Sequence, residues 1–244
     1  MPLSRRELLN LAAAGIATGI FASATSAHAA TGSKVKAIAF DAFPIFDPRP
    51  VFALAEQLFP GRGADLSNAW RARQFEYQWL RALSGQYADF WQTTEDSLMF
   101  AAELLKLVLT PDKHEKLMAS YLELKTWPEV PSVLESLRNA GIRLAFLSNA
   151  TSKILDAGIK SSGLGGAFEH ILSTNEIKSY KPDPRAYQMA IDAFALRKEE
   201  ILFVAFAGWD AAGAKAFGYT IFQSSGLAFP PMVLGKAWMI CLAS

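Results

Sequence analysis

Cysteine is almost missing from this chain: Cys241 is the single one among 244 residues. An intramolecular disulfide is therefore excluded, as are thiolate zinc sites and iron–sulfur clusters assembled from this chain alone. Histidine is nearly as scarce, with three residues. His114 and His170 have no partner at ligand spacing and His28 sits in the N-terminal segment, so no metal centre or histidine triad is indicated. Charge of one sign is lacking too. Lys and Arg number 24 against 23 Asp and Glu, a net +1, and the basic residues are scattered, which argues against a nucleic-acid partner. What the chain does have is apolar mass: 51% hydrophobic residues, enough to bury a full core and to exclude disorder.

The N-terminus reads as an address. Arg5-Arg6 precede a mildly apolar stretch from Leu11 to Phe21, and Ala27-His28-Ala29 offers small residues to a signal peptidase. Residues 1–30 are thus expected to be a twin-arginine export signal, cleaved after Ala29 or Ala30, delivering a folded protein to the periplasm. The apolar stretch is shorter than a bilayer-spanning helix needs, so no stable membrane insertion of the mature chain is expected.

Beyond a tether, Val35 to Phe40 is a continuous apolar run, the pattern of a strand buried on both faces. The next such run begins only at Ile142. Between them lies helical patterning: one helix over Pro50–Phe59, a longer one capped by Asp65 or Ser67 and reaching Leu83, one from Thr93 or Thr94 to Leu109, and a start at Pro111. In the longer helix Leu66, Trp70, Tyr77, Leu80 and Leu83 approximate an apolar stripe. From Trp127 helices and strands alternate, with strands expected at Ile142–Leu147, His170–Leu172, Ile201–Phe206 and Tyr219–Phe222. Such alternation implies right-handed crossovers and a parallel sheet. The expected fold is α/β, a Rossmann-type parallel sheet core (31–43 and 127–244) with an inserted helical cap (44–126). The final segment, with Pro230-Pro231 and an apolar end, resists assignment.

In an open parallel sheet the strand ends share one rim, so Asp41, Ser148-Asn149, Lys181 and Trp209-Asp210 can meet although far apart in sequence. A carboxylate at the exit of an apolar strand is costly unless it caps a helix or the site needs it. With Lys181 available to hold its charge, Asp41 reads as a nucleophile. Pro182, Asp183 and Pro184 make a stiff loop-to-helix junction that presents the lysine. Ser148 can donate its hydroxyl or cap the next helix, as can Asn149, and the amides following Ser148 can bind an anion.

These elements resemble the haloacid dehalogenase superfamily, and over almost the whole mature chain up to about Phe222 they resemble its type II (S)-2-haloacid dehalogenases. Leu66–Arg81, Gly85–Phe90, Lys181–Tyr187 and Gly208–Gly213 look like that family's long signatures. The resemblance implies a HAD-like core and a cofactor-independent hydrolase acting on a small 2-halocarboxylate, with a homodimer as a further family trait. It implies that Asp41 displaces halide from C2 with inversion and that water then hydrolyses the aspartyl ester. In this reading Arg71 receives the halide, Ser148 and the adjacent amides at Asn149 hold the carboxylate, and Lys181 balances Asp41. Tyr187 supports that pairing, Asp210 activates water or fixes Lys181, and Phe43, Phe90 and Trp209 line the apolar side. A solvated arginine at 71, core packing for Phe90 and Trp209, and helix capping by Asp210 are the plain alternatives.

Three positions depart from the family pattern. After Asp41 the chain reads Ala42-Phe43-Pro44-Ile45-Phe46-Asp47, one residue shorter than usual and without the supporting Thr. Superfamily phosphatases commonly carry an acid where Phe43 stands, and an Asp-rich approach to magnesium where Ala205-Phe206-Ala207 stand. Ala205 and Ala207 also fall where type II enzymes usually have Ser and Asn, groups that orient water and nucleophile. A divergent or inactive exported homologue, or a phosphatase, are the other readings.

Overall fold

The computed structural model describes residues 35–223. The expected export signal, Cys241 and the unassigned tail lie outside the described residues.

Strand β1 (Ala37–Phe40) runs into a one-turn helix α1 (Ala42–Ile45) and a short strand β2 (Phe46–Asp47). Four helices follow: α2 (Arg49–Leu58), α3 (Gly63–Leu83), α4 (Phe90–Leu104) and α5 (Pro111–Ala119). Strand β3 (Lys125–Thr126) brings the chain back. Then come α6 (Val130–Asn139), β4 (Arg143–Ser148), α7 (Ser152–Ser161), β5 (His170–Ser173), α8 (Pro184–Phe194), β6 (Ile201–Ala205), α9 (Gly208–Phe217) and β7 (Thr220–Gln223).

The sheet has the order β5-β4-β1-β6-β7, with every pairing parallel. β1 is central, and all four of its residues are at most 2% exposed, which is why it carries no polar alternation. Ile38, Phe40, Leu144, Phe146 and Val204 face α6 and α7 through Leu134, Leu137, Ile154 and Leu155. Ala37, Ala39, Ala145, Leu147 and Phe203 face α8 and α9 through Tyr187, Ala190, Phe194, Ala211 and Ala214. The small residues at 37, 39 and 145 let the second helical layer sit close.

The helical insertion enters and leaves the core through a two-stranded antiparallel ribbon in which Phe46 pairs with Thr126 and Asp47 with Lys125. The sequence reading missed this ribbon, whose two-residue strands are too short for a period. Several boundaries also differ from expectation. α3 begins at Gly63 and places Asp65 in its first turn, where its charge suits the helix dipole. α4 begins at Phe90, capped by Asp89 through Gln92 N at 2.9 Å, because Thr93 and Thr94 are buried inside the helix. It stops at Leu104, short of the expected Leu109, and Lys106 follows with φ 54°. α7 is capped at Thr151, so neither Ser148 nor Asn149 is its N-cap.

The stripe of α3 needs the largest correction. Leu66 and Trp70 are buried as expected, but Leu80 and Leu83 are 60% and 86% exposed. The inward positions instead continue as Gln74 and Gln78.

Candidate active site

Asp41 follows β1 directly and its backbone N–H donates to Val204 O at 2.9 Å, which fixes it at the rim beside the end of β6. It also caps α1, accepting weakly from Phe43 N through Oδ2 at 3.5 Å, so the capping alternative is borne out without excluding a nucleophilic role. Pro44 falls in this first turn, where an amide hydrogen would lack an intrahelical acceptor anyway. The two carboxylate oxygens are unequally engaged. Oδ1 accepts from Lys181 Nζ at 2.9 Å and from Ser148 Oγ at 3.4 Å, whereas Oδ2 has only the long contact to Phe43 N.

Lys181 is fully buried and bridges two carboxylates, Asp41 at 2.9 Å and Asp210 at 2.6 Å. Burial pulls the ammonium down, but Asp210 and then Asp41 outweigh it and its pKa is raised, so it stays charged. Asp210 is pushed up to about 6, first by burial and also by the charge of Asp41, against the opposing pull of Lys181. Tyr187 donates its hydroxyl to Asp210 Oδ1 at 2.9 Å and lies in the core beneath the site. It therefore supports the pairing through Asp210, and its hydroxyl is committed there rather than to a ligand. Gly213 makes room for this arrangement: a Cβ at that position would lie 2.5 Å from the Tyr187 hydroxyl and 2.6 Å from Pro182. As expected, Asp183 caps α8 through Arg185 N and Pro184 takes the first turn.

Ser148 sits at the end of β4 with its hydroxyl between Asp41 and Ala150 N, which donates to it at 3.2 Å. The Ala150 amide is thus engaged by Ser148 and is not free for an anion. The Asn149 side chain is committed as well, accepting from Lys181 N at 2.9 Å and Thr174 Oγ1 at 3.3 Å and donating to Gln78 Oε1 at 2.9 Å. It shapes the site from within: its oxygen, an acceptor already shared by two donors, cannot bind a ligand carboxylate.

Phe43 packs on Phe206, ring centroids 5.7 Å apart, and its carbonyl is anchored by Trp127 Nε1 at 2.9 Å. Trp209 joins Phe75 and Trp79 of α3 in edge-on contacts of 5.4 and 5.5 Å, forming an aromatic wall between insertion and core. Its Nε1 is buried without a hydrogen-bond partner. Phe90 is 4% exposed and packs edge-on to Tyr121, which places it in the core of the insertion. Arg71 is half-buried on α3, near Phe52, with Nη2 donating to Asn68 Oδ1 at 3.2 Å. Burial lowers its pKa and the nearby Tyr121 opposes the shift. It is not the freely solvated arginine of the plain alternative.

Two site residues escaped the sequence reading. Gln78 is fully buried against Asn149, and Trp79 donates its Nε1–H to the Lys181 carbonyl at 3.2 Å. A signal existed: polar Gln74 and Gln78 continue the four-residue spacing of Leu66 and Trp70, and a buried amide requires a partner. As for metals, Asp210 is held by an ammonium that a divalent ion would have to displace, and among the described residues no three His, Cys, Asp or Glu side chains converge.

The comparisons agree on one family. A family model described as haloacid dehalogenase-like hydrolase matches residues 37–218. Haloacetate dehalogenase H-2 of Moraxella sp. (strain B) is 41% identical over 189 residues, covering 77% of this chain and 84% of the relative. The (S)-2-haloacid dehalogenase of Pseudomonas sp. (strain YL) is 41% identical over 186 residues, 76% of this chain and 80% of the relative. The L-2-haloacid dehalogenase of Xanthobacter autotrophicus, solved with chloropropionic acid covalently bound, superposes with a TM-score of 0.73 at 33% identity, covering 80% of this chain and 79% of that one. With a strand-end aspartate, a buried lysine between two carboxylates and an inserted helical region, this chain belongs to the haloacid dehalogenase-like hydrolases.

Proposed function

We propose that this protein hydrolyses short (S)-2-haloalkanoic acids to (R)-2-hydroxy acids and halide through an ester on Asp41. The observation that carries the reading is the asymmetry of the Asp41 carboxylate, with Oδ1 held by Lys181 and Ser148 and Oδ2 nearly unengaged. Oδ2 attacks C2 from the side opposite the halogen, the carbon–halogen bond breaks, and C2 inverts. Arg71 receives the halide. Water then attacks the carbonyl carbon of the ester, the ester C–O bond breaks, and the 2-hydroxy acid and a proton leave. Lys181 fixes Asp41 in both steps and Ser148 steadies Oδ1, electrostatic help prepared before charge develops. Phe43 and the wall at Trp209 keep the carbon in an apolar setting. The covalent chloropropionate adduct of the Xanthobacter relative and the names of the other two relatives support this assignment.

The test is mass spectrometry after turnover of (S)-2-chloropropionate in 18O-labelled water. The expected result is label in the Asp41 side chain together with chloride release and (R)-lactate. Label found only in the product would remove the ester, and a stable adduct on Asp41 would show that attack occurs but hydrolysis does not.

Export through the twin-arginine route belongs to the same proposal, supported by the order of Arg5-Arg6, the apolar stretch and Ala27-His28-Ala29. Replacing both arginines by lysine should retain the protein, uncleaved, in the cytoplasmic fraction. Unchanged periplasmic recovery and processing would refute this route.

A further inference from the structure

Helix α3 changes character along its inward face. Leu66 and Trp70 are apolar, but the next two positions at the same spacing, Gln74 and Gln78, are 5% and 0% exposed. Gln74 is satisfied within the insertion, donating to Thr94 Oγ1. Gln78 reaches the core, where its Oε1 accepts from Asn149 Nδ2 at 2.9 Å. The orientation of both amides is determined, because Asn149 Oδ1 already accepts from the Lys181 N–H and from Thr174. Gln78 Nε2 is left buried without a partner. Stability alone would favour an apolar side chain at such a position, since an unpaired buried donor is a cost. One residue further on, Trp79 holds the Lys181 carbonyl at 3.2 Å. A single turn of α3 therefore grips the Lys181 residue at both ends, its N–H through Asn149 and its C=O directly.

We propose that Gln78 is a positioning residue, through which α3, by way of Asn149, sets the Lys181 ammonium on Asp41. The kinetic consequence rests on the dehalogenase reading, whereas the geometry does not. A lysine side chain has many rotamers, yet this one must meet Asp41 at 2.9 Å and Asp210 at 2.6 Å at once. Fixing its backbone selects the one arrangement that does both. Seating of α3 on Asn149 and alignment of the ammonium are then a single event, and an unseated insertion leaves the nucleophile uncorrected.

The test uses the full chain with Gln78→Met, which keeps the length but removes both polar atoms, and Gln78→Glu, which keeps an acceptor for Asn149 Nδ2. Two readouts are taken: kcat and KM on (S)-2-chloropropionate, and hydrogen exchange of the Lys181 amide. Gln78→Met should lower kcat by about 10- to 100-fold with KM within about twofold, the scale of a small misplacement of a reacting group. Its Lys181 amide should exchange at least about tenfold faster, reflecting local loosening. Gln78→Glu should keep that amide protected and retain a higher kcat than Gln78→Met. If Gln78→Met does not fold, Trp79→Phe, which removes the grip on the carbonyl while keeping an aromatic ring beside Phe75 and Trp209, should lower kcat severalfold and speed exchange at the Lys181 loop. Unchanged kcat and unchanged Lys181 protection in folded Gln78→Met would overturn the proposal, as would equally fast exchange in both Gln78 variants. Wild-type protein that released no halide would overturn the dehalogenase reading instead, and the exchange rates would still decide the positioning role.

Discussion

Asp41→Asn should reduce halide release from (S)-2-chloropropionate by roughly four orders of magnitude or more, the scale on which removal of a nucleophile affects other covalent enzymes. The substitution is nearly isosteric, so an amide oxygen can still accept from Lys181 and Ser148, which now engage Oδ1 at 2.9 and 3.4 Å. What disappears is the second oxygen, and with it a negatively charged atom able to attack C2. The fold should hardly notice. Lys181 keeps Asp210 at 2.6 Å, so the buried ammonium is not left without a counter-charge. Melting within a few degrees of wild type, together with no label in the residue-41 side chain after incubation in 18O water, would complete the expected result. A variant retaining more than about one percent of the activity would mean that water attacks C2 directly, without an ester.

Hydrolysis of the proposed ester is a separate matter from attack, and Ala205 and Ala207 stand where the resemblance leads one to expect Ser and Asn. Ala205 and Ala207 flank the end of β6 next to Asp41, both buried, and neither side chain carries a polar atom. The other carboxylate of the site, Asp210, is already shared by Lys181 and Tyr187. In the proposed mechanism attack is thus better provided for than hydrolysis, and orientation of water can carry orders of magnitude in rate.

The central strands were legible because burial on both faces leaves its mark as unbroken apolar runs, as in Ala37–Phe40 and Ile201–Ala205. The Lys181 loop was legible for a different reason: Pro182, Asp183 and Pro184 each restrict the backbone locally, and Asp183 does cap α8. Pairing of Asp41, Ser148, Lys181 and Asp210 followed from the shared rim of parallel strands. Where tertiary contacts decide, local pattern failed. Phe46 and Thr126 pair across the whole insertion in a ribbon with no periodicity to detect. Thr93 and Thr94 have the chemistry of caps, but their hydroxyls are taken by Tyr180 and by the Phe90 carbonyl inside the helix and its packing. The inward face of α3 is not legible from hydrophobicity alone, since two of its buried positions are the polar Gln74 and Gln78. There Gln78 is buried because Asn149 satisfies its oxygen, while Leu80 and Leu83 point outward.

Lys181→Met should be the most destabilising single change at the site, by about 3–5 kcal/mol, because it leaves a buried carboxylate, Asp210, and a partly buried one, Asp41, facing each other without the cation between them. For a domain of this size that corresponds to a fall in Tm of roughly 6–20 °C. Its pH dependence follows from the signs of the shifts. In the wild type the Lys181 pKa is raised, so its contribution is complete below its ordinary value of 10.5 and is lost only as pH rises through the higher folded value. Asp210, raised to about 6, binds its proton more tightly folded than unfolded, so its own contribution falls as pH rises between about 4 and 6. Without the ammonium, which pulls that pKa down, the folded state prefers a protonated Asp210 still more strongly. The deficit of Lys181→Met relative to wild type should accordingly be smallest near pH 5 and grow through neutrality, as thermal unfolding at stepped pH would record. Adding Asp210→Asn to Lys181→Met removes one of the opposed charges, and it should recover part of the lost stability and flatten the pH dependence. A deficit that is constant from pH 5 to 8, or a double variant no more stable than Lys181→Met, would show that lost packing rather than uncompensated charge sets the cost.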